Sequence, residues 1–312
     1  MKKIALIVSA ISAALFASAT AKADVAVTGT AGVGYVSGNG ASNSKVYNGA
    51  AVAFALSSDL GNGVVVSTSA GISLDSNDAA TLGSVNATGL SNISFATSGA
   101  TITVGGDIDI AGDGVGEVGG VAGDLVDEGG YNTLGVSPGL TEEDGYGVSL
   151  STAVGGATIT ASYILDADGG ANNGATNDTA TATGFQVSLP LGPLSATLGF
   201  ASDDSNSESV TGGQVAYTAD GLGTISAGMS ETSDTTNEST WGVAYSGTVG
   251  GASLKVGYTN ASSGTNEWTR TEANLSQSIG AGASVFLDIQ TASGVSATSP
   301  GTNLAIGTSF SF

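Results

Sequence analysis

The densest group of ionisable side chains in this 312-residue chain lies in one segment, residues 106–144. Its sequence is GDIDIAGDGVGEVGGVAGDLVDEGGYNTLGVSPGLTEED, which contains no Lys or Arg. Carboxylates without basic partners attract cations and repel anions. The segment therefore predicts a cation-attracting surface. It has ten carboxylates: Asp107, Asp109, Asp113, Glu117, Asp124, Asp127, Glu128, Glu142, Glu143 and Asp144.

The start of this segment has a weak resemblance to a calcium-binding loop. Asp107, Asp109 and Asp113 stand at suitable spacings, but the fifth position of an EF-hand frame is Ala111. The twelfth position is Val118, where an EF-hand requires Glu. The EF-hand is therefore absent, although a looser Ca²⁺ site made by loop carboxylates stays open. No other cofactor is expected.

The same segment contains a match to the G-x-G-x-x-G pattern at Gly114, Gly116 and Gly119. In dinucleotide-binding proteins this pattern joins a strand to a helix. No helical pattern follows it here, and a chance match is expected in a chain with 50 glycines. We do not interpret it as a nucleotide site.

The rest of the composition excludes several kinds of chemistry. The chain has no Cys and no His, which excludes disulfides, thiolate nucleophiles, His-based triads and ordinary zinc sites. An enzyme is not expected. The first 23 residues, MKKIALIVSAISAALFASATAKA, are typical of a secretory signal peptide, with two early lysines, an apolar run and a small-x-small end.

Removal of that peptide would leave a strongly acidic chain. Three basic residues, Lys45, Lys255 and Arg270, would remain against 27 carboxylates, a net charge of −24. Nucleic acid is excluded as a partner because phosphate binding needs clustered Lys and Arg. Part of the acidity could instead serve solubility in salty water.

Apolar residues alternate with small polar residues along most of the chain, which predicts half-buried strands. We count sixteen such runs after the signal peptide, from VAVTGTAGVGYV (25–36) to GTNLAIGTSFSF (301–312). Short turns follow the even runs and longer polar loops follow the odd ones. Segment 106–144 is the longest of these connections and follows the fifth run.

This layout predicts an all-β fold, a transmembrane antiparallel β-barrel of sixteen strands. The apolar face is expected to meet lipid, because the opposite face is Gly, Ala, Ser and Thr rather than charged residues. Backbone groups in a bilayer must all be paired, so the sheet must close. Five aromatic residues are expected at the membrane interfaces: Tyr35, Trp241, Tyr258, Phe310 and Phe312.

Strand alternation also places four charged residues on the lumen wall. Lys255 lies between the lipid-facing Leu254 and Val256, and the same parity directs Arg270, Glu272 and Asp288 inward. If Asn260 pairs with Glu267, Lys255 lies opposite Glu272, where the two would form a cross-strand ion pair. Such a pair would serve either to hold Lys255 or only to stabilise the wall.

The whole chain after the signal peptide resembles the Gram-negative general diffusion porins of the alphaproteobacterial type. The signal peptide, the start DVAVTGTAGVGY, the sixteen short strands, the long third loop and Phe312 carry the resemblance. It implies a passive outer-membrane channel for small hydrophilic solutes, a homotrimer, and a third loop folded into the lumen. It also implies that the barrel-assembly machinery recognises the last strand.

The resemblance gives the acidic segment a position, since the third loop narrows the channel of a porin. Asp107, Asp109, Asp113, Glu117, Asp124, Asp127 and Glu128 would then lie at the constriction and favour cations. Glu142, Glu143 and Asp144 are expected at the solvated mouth. The alternative hypothesis is a secreted, acidic, Gly-rich adhesin or surface-layer protein without a channel, although no fixed internal repeat supports it.

Overall fold

Strands account for all the regular structure that can be described in this protein. The computed structural model describes residues 22–38, 45–75, 84–88, 92–121, 140, 144–166, 181–204, 207–233, 237–294 and 301–312. No helix in these ranges is long and apolar enough to cross a membrane. The predicted signal peptide, apart from Lys22 and Ala23, lies outside the described residues and stays a prediction.

The described residues contain seventeen strand segments. The first eight are β1 Lys22–Gly38, β2 Lys45–Asp59, β3 Val65–Asp75, β4 Ser84–Thr88, β5 Ile93–Ala96, β6 Ala100–Asp109, β7 Asp144–Val154 and β8 Ala157–Asp166. The others are β9 Ala182–Leu191, β10 Leu194–Asp203, β11 Glu208–Ala219, β12 Gly223–Ser233, β13 Glu238–Val249, β14 Ala252–Ser263, β15 Asn266–Gly280, β16 Ala283–Gly294 and β17 Gly301–Ser311.

These segments form one closed antiparallel barrel of sixteen strands. Each strand pairs with the next, and β17 pairs back onto β1. The fourth strand of the barrel is in two pieces, because β4 and β5 both pair with β3, at its two ends. Closure pairs the backbone N–H and C=O groups that an open sheet would expose to lipid at its edges. The sixteen-stranded barrel predicted from the alternation is confirmed.

The outer face of the barrel is apolar and exposed. Leu198, near the middle of β10, is 63% exposed, as befits a side chain that meets lipid rather than a protein core. Four of the five predicted interface aromatics lie on the strands, and Phe312 directly follows β17. Tyr35, Trp241 and Tyr258 lie toward the long-loop end, and Phe310 and Phe312 lie at the short-turn end. The rings of Trp241 and Tyr258 are 5.4 Å apart.

The inner face differs from the expectation that it carries small polar residues alone. Ile164, Ala182, Ala201 and Val210 face inward on four neighbouring strands and are fully buried. They pack with three residues of the long third connection, Ile108, Ile110 and Leu140. A bulge in β6 between Gly105 and Ile108 shifts the alternation and turns Ile108 into this cluster.

The pairing of β14 with β15 corrects the predicted cross-strand ion pair. Asn260 lies opposite Thr269 rather than Glu267, so Lys255 lies opposite Asn274 and Glu272 lies opposite Gly257. The prediction placed a loop at 261–266, but both strands continue through Ser263 and Asn266 and leave a two-residue turn. The tighter turn shifts the register by two residues. Each side chain therefore stays on its predicted face of the sheet, but it lies opposite a different residue of the neighbouring strand.

Candidate pore constriction

The third loop follows the inner wall of the barrel through residues 110–121. Its backbone is fixed near β8, where the amide of Ala111 donates a hydrogen bond to Ser162 Oγ at 2.7 Å. The backbone amide of Asp113 donates a hydrogen bond to the carbonyl of Ile110, and the backbone amide of Glu117 donates one to the carbonyl of Gly114. The segment therefore contains two successive turns, which shorten it. From there the backbone crosses the inward faces of strands β9 to β15.

One inward-facing glycine in each of six consecutive strands lies directly under this backbone. We name them the glycine track: Gly184, Gly199, Gly212, Gly228, Gly242 and Gly257. A Cβ atom on Gly212 would overlap the carbonyl of Val115, and one on Gly242 would overlap the carbonyl of Val118. A Cβ on Gly199 would lie 2.5 Å from the carbonyl oxygen of Gly112. Loop and wall therefore meet backbone to backbone.

The far end of the segment is held by Glu272 of β15. Its Oε2 accepts a hydrogen bond from the amide of Val121 at 2.5 Å, and its Oε1 accepts one from Gln290 Nε2 at 2.8 Å. Arg270 Nε lies 2.8 Å from the same Oε1 in an ion pair, without the alignment of a hydrogen bond. Glu272 is only 1% exposed, so it anchors the loop and compensates Arg270 rather than facing water.

A cavity of about 540 Å³ lies beside the first half of the segment. Asp109, Asp113 and Glu117 line it. Leu140, the described residue of the returning limb, donates its amide to Asp113 Oδ1 at 3.1 Å. None of the described residues that line the cavity is basic. The wall contributes five neutral polar side chains: Asn92, Thr103, Ser149, Thr160 and Gln186.

The other predicted loop carboxylates have different positions. Asp107 is exposed, and its backbone exchanges two hydrogen bonds with the amide side chain of Asn92. The backbone of Asp144 begins β7. Asp124, Asp127, Glu128, Glu142 and Glu143 lie outside the described residues.

The two remaining wall charges lie on the inner face but differ in exposure. Asp288 is buried and accepts a hydrogen bond from Asn274 Nδ2. Lys255 is exposed, one inward-facing position from Gly257 toward the short-turn end. Within the described ranges no carboxylate lies close enough to Lys255 to form a salt bridge.

The G-x-G-x-x-G match has a structural explanation in this loop. Gly116 has a φ of 101° and Gly119 a φ of 121°, in the region that favours glycine. A Cβ on Gly116 would overlap the carbonyl of Met229, and one on Gly119 would lie too close to the carbonyl of Tyr258. The pattern allows the loop backbone to approach the wall. No group of three or more carboxylates in the described ranges is placed to hold a metal ion.

Sequence reasoning missed Ser162 and the glycine track. Both belong to the face of Gly, Ala, Ser and Thr that lies opposite the apolar face. A signal was present: five of the six track glycines directly precede a large outward-facing residue, in the pairs Gly184–Phe185, Gly199–Phe200, Gly228–Met229, Gly242–Val243 and Gly257–Tyr258. A glycine at the same level of consecutive strands indicates a close approach of backbone.

Comparison with known proteins gives this barrel a family. The sequence matches the Gram-negative porin family over residues 5–296. This chain belongs to the Gram-negative porins. The porin is similar in structure to an anion-selective porin from Comamonas acidovorans, with a TM-score of 0.66 and 14% identity over 93% of this chain and 100% of that one.

A triple mutant of the Rhodopseudomonas blastica porin gives a TM-score of 0.69 and 12% identity over 93% of this porin and 100% of the mutant. A second mutant of that porin gives 0.69 and 13% over the same shares. No curated protein matches the sequence significantly. At these identities the likeness to solved structures is one of fold.

Family and fold together establish the general role of the protein. It is a passive channel of the outer membrane and not an enzyme. The alternative of a secreted β-protein without a channel is therefore not supported.

Proposed function

We propose that this porin is a diffusion channel for small hydrophilic solutes that prefers cations. The observation that carries the proposal is the cavity beside the loop, lined by Asp109, Asp113 and Glu117 and by no basic residue of the described ranges. Charged side chains at a narrow point set the ion preference of a pore. The low-dielectric walls of a barrel strengthen such a field.

The basic residues of the wall do little to oppose these carboxylates. Arg270 is paired with Glu272 at 2.8 Å, and this pair lies at the far end of the loop segment from Ala111. Lys255 is exposed on the inner wall, and it lies below the glycine track toward the short turns. The net field near the loop is therefore negative in this proposal.

The Comamonas porin is described as anion-selective, and this name does not transfer to the present chain. Ion preference depends on a few side chains at the constriction, whereas 14% identity establishes the fold. The preference must be inferred from the carboxylates of this chain itself.

Uptake of charged solutes of similar size tests the proposal directly. Proteoliposomes with the purified porin should admit a neutral pentose, and at low salt arginine should enter about three-fold or more faster than glutamate. The difference should shrink as salt screens the loop charges. Equal or faster glutamate entry would contradict the cation preference, and exclusion of the pentose would contradict an open channel.

Three further parts of the proposal rest on the resemblance to general diffusion porins. The protein would be exported by its N-terminal signal peptide, recognised through β17 by the barrel-assembly machinery, and assembled as a homotrimer surrounded by outer-membrane lipid. Chemical cross-linking of the detergent-purified protein counts the subunits, and a monomer would contradict the trimer. Calcium binding by loop carboxylates stays a prediction.

A further inference from the structure

We propose that the glycine track and Glu272 are positioning elements of the pore, which fix how far the third loop stands from the wall. This inference rests on the proposed channel, because its readout is the size of the open pore. It concerns conductance rather than ion preference, so the two proposals can fail separately.

The register of the wall strands supports a continuous track. Gly199 lies directly opposite Gly212, and Gly228 lies directly opposite Gly242. At one end Ser162 lies opposite Gly184, and at the other Gly257 lies opposite Glu272. Between these pairs the track steps by two residues, so each glycine stays on the inner face. Ser162 and Glu272, whose side chains accept hydrogen bonds from the loop backbone, therefore stand at the two ends of the line of glycines.

The track is only one inward position wide. On β11 the inward positions on either side of Gly212 are Val210 and Gln214, and on β13 those beside Gly242 are Thr240 and Ala244. Side chains therefore rise on both sides of the loop backbone and form a groove across the strands. Glycine weakens a strand and removes a side chain that could pack, so six at one level indicate a required close approach.

Glu272 completes the groove with a directional contact. One carboxylate holds the amide of Val121, the amide of Gln290 and the charge of Arg270. Loss of this buried group would release the end of the loop and leave Arg270 uncompensated. Its amide variant Glu272→Gln keeps an oxygen that can accept from the amide of Val121, but it loses the charge and puts an NH₂ group where Glu272 Oε1 contacts Gln290 and Arg270. It therefore separates the anchoring of the loop from the pairing with Arg270.

Alanine substitutions on the track test the inference. A methyl group at Gly212 or Gly242 would overlap a loop carbonyl, so the loop must move toward the pore axis. Single-channel conductance of Gly212→Ala and Gly242→Ala is expected to fall by about two-fold, because tight packing leaves no room at the wall. Gly32→Ala is the matched control, since its Cβ would meet only Thr308 O, at 3.6 Å. Conductance equal to wild type in both track variants would overturn the proposal.

Variants at Glu272 keep the proposal testable if the track variants do not assemble. Glu272→Ala is expected to give a fluctuating conductance with larger open levels, whereas Glu272→Gln should keep a steady wild-type level. Steady wild-type conductance of Glu272→Ala would overturn the anchoring role. Heat-modified mobility on gels, measured for every variant, establishes that the barrel has formed before its conductance is interpreted.

Discussion

Replacing the three cavity carboxylates by amides is expected to abolish most of the cation preference. The variant Asp109→Asn/Asp113→Asn/Glu117→Gln removes three negative charges from one cavity wall and adds no bulk. An Asn at position 113 still has an oxygen to accept the hydrogen bond from Leu140. The loop should therefore keep its path, and the permeability ratio of K⁺ to Cl⁻ should approach roughly one.

The physical reason for so large an effect is that three charges of the same sign share one cavity. The described wall side chains that line it with them are neutral. The interaction of these charges with an ion is screened over about 10 Å at 0.1 M salt, which is about the scale of the cavity itself. The effect should be greatest at low salt.

Two control variants make the result specific to the loop. Asp220→Asn removes an exposed charge from the turn between β11 and β12 and should leave the ratio unchanged. Lys255→Gln removes the exposed wall cation and should raise the ratio. A triple amide variant as cation-preferring as wild type would show that these three carboxylates do not set the preference.

Truncation after Ser311 is expected to impair barrel formation far more than it changes the conductance of barrels that do form. Gly29 and Phe312 exchange two backbone hydrogen bonds, at 2.7 and 2.9 Å, which extend the pairing of β1 with β17. Truncation leaves both groups of Gly29 without these partners. Each buried unpaired group costs about 1–3 kcal/mol, and more in lipid.

The ring of Phe312 adds a second contribution at the same place. It covers Gly29 so closely that a Cβ atom there would overlap the ring, while Phe312 itself stays 76% exposed toward the membrane. An aromatic side chain that covers a glycine in a neighbouring strand stabilises the pair. Gly29→Val should therefore partly reproduce the truncation, and Gly32→Val on the inner face of the same strand should not.

The yield of heat-modifiable barrel in outer-membrane fractions measures this effect. We expect the truncated chain to give a small fraction of the wild-type yield, with single channels of wild-type conductance among the barrels that form. Wild-type yield of the truncated chain would show that the last pairing is dispensable. Normal yield with altered conductance would place Phe312 in the pore mechanism instead.

The fold was predictable because alternation is a strong local signal. In β10, Leu198 and Phe200 alternate with Gly199 and Ala201, and the pattern assigns each residue to a face without knowledge of its partners. One piece of the interrupted fourth strand, Ser84–Thr88, carries no such signal, because Val85 is its only large apolar residue. Its pairing comes from the neighbouring strand β3.

The candidate site was predictable only in part, because its contacts depend on register and on the path of the loop. The acidic content of the loop is a property of sequence, and it led to Asp109, Asp113 and Glu117. The residues that contact Glu272, in contrast, cannot be inferred from the sequence alone. A two-residue shift in the register of β14 and β15 moved Lys255 away from it, and the anchoring contact to Val121 spans 151 positions of the chain.

The zero-current potential of the wild-type porin in a tenfold KCl gradient tests the central claim most directly. Cations that cross preferentially make the dilute side positive, up to a limit of roughly 59 mV for a singly charged ion. We predict a potential of this sign at low salt that declines as both solutions are made more concentrated. A negative potential on the dilute side would contradict the account, because it would mean that anions cross a constriction lined by carboxylates more readily than cations.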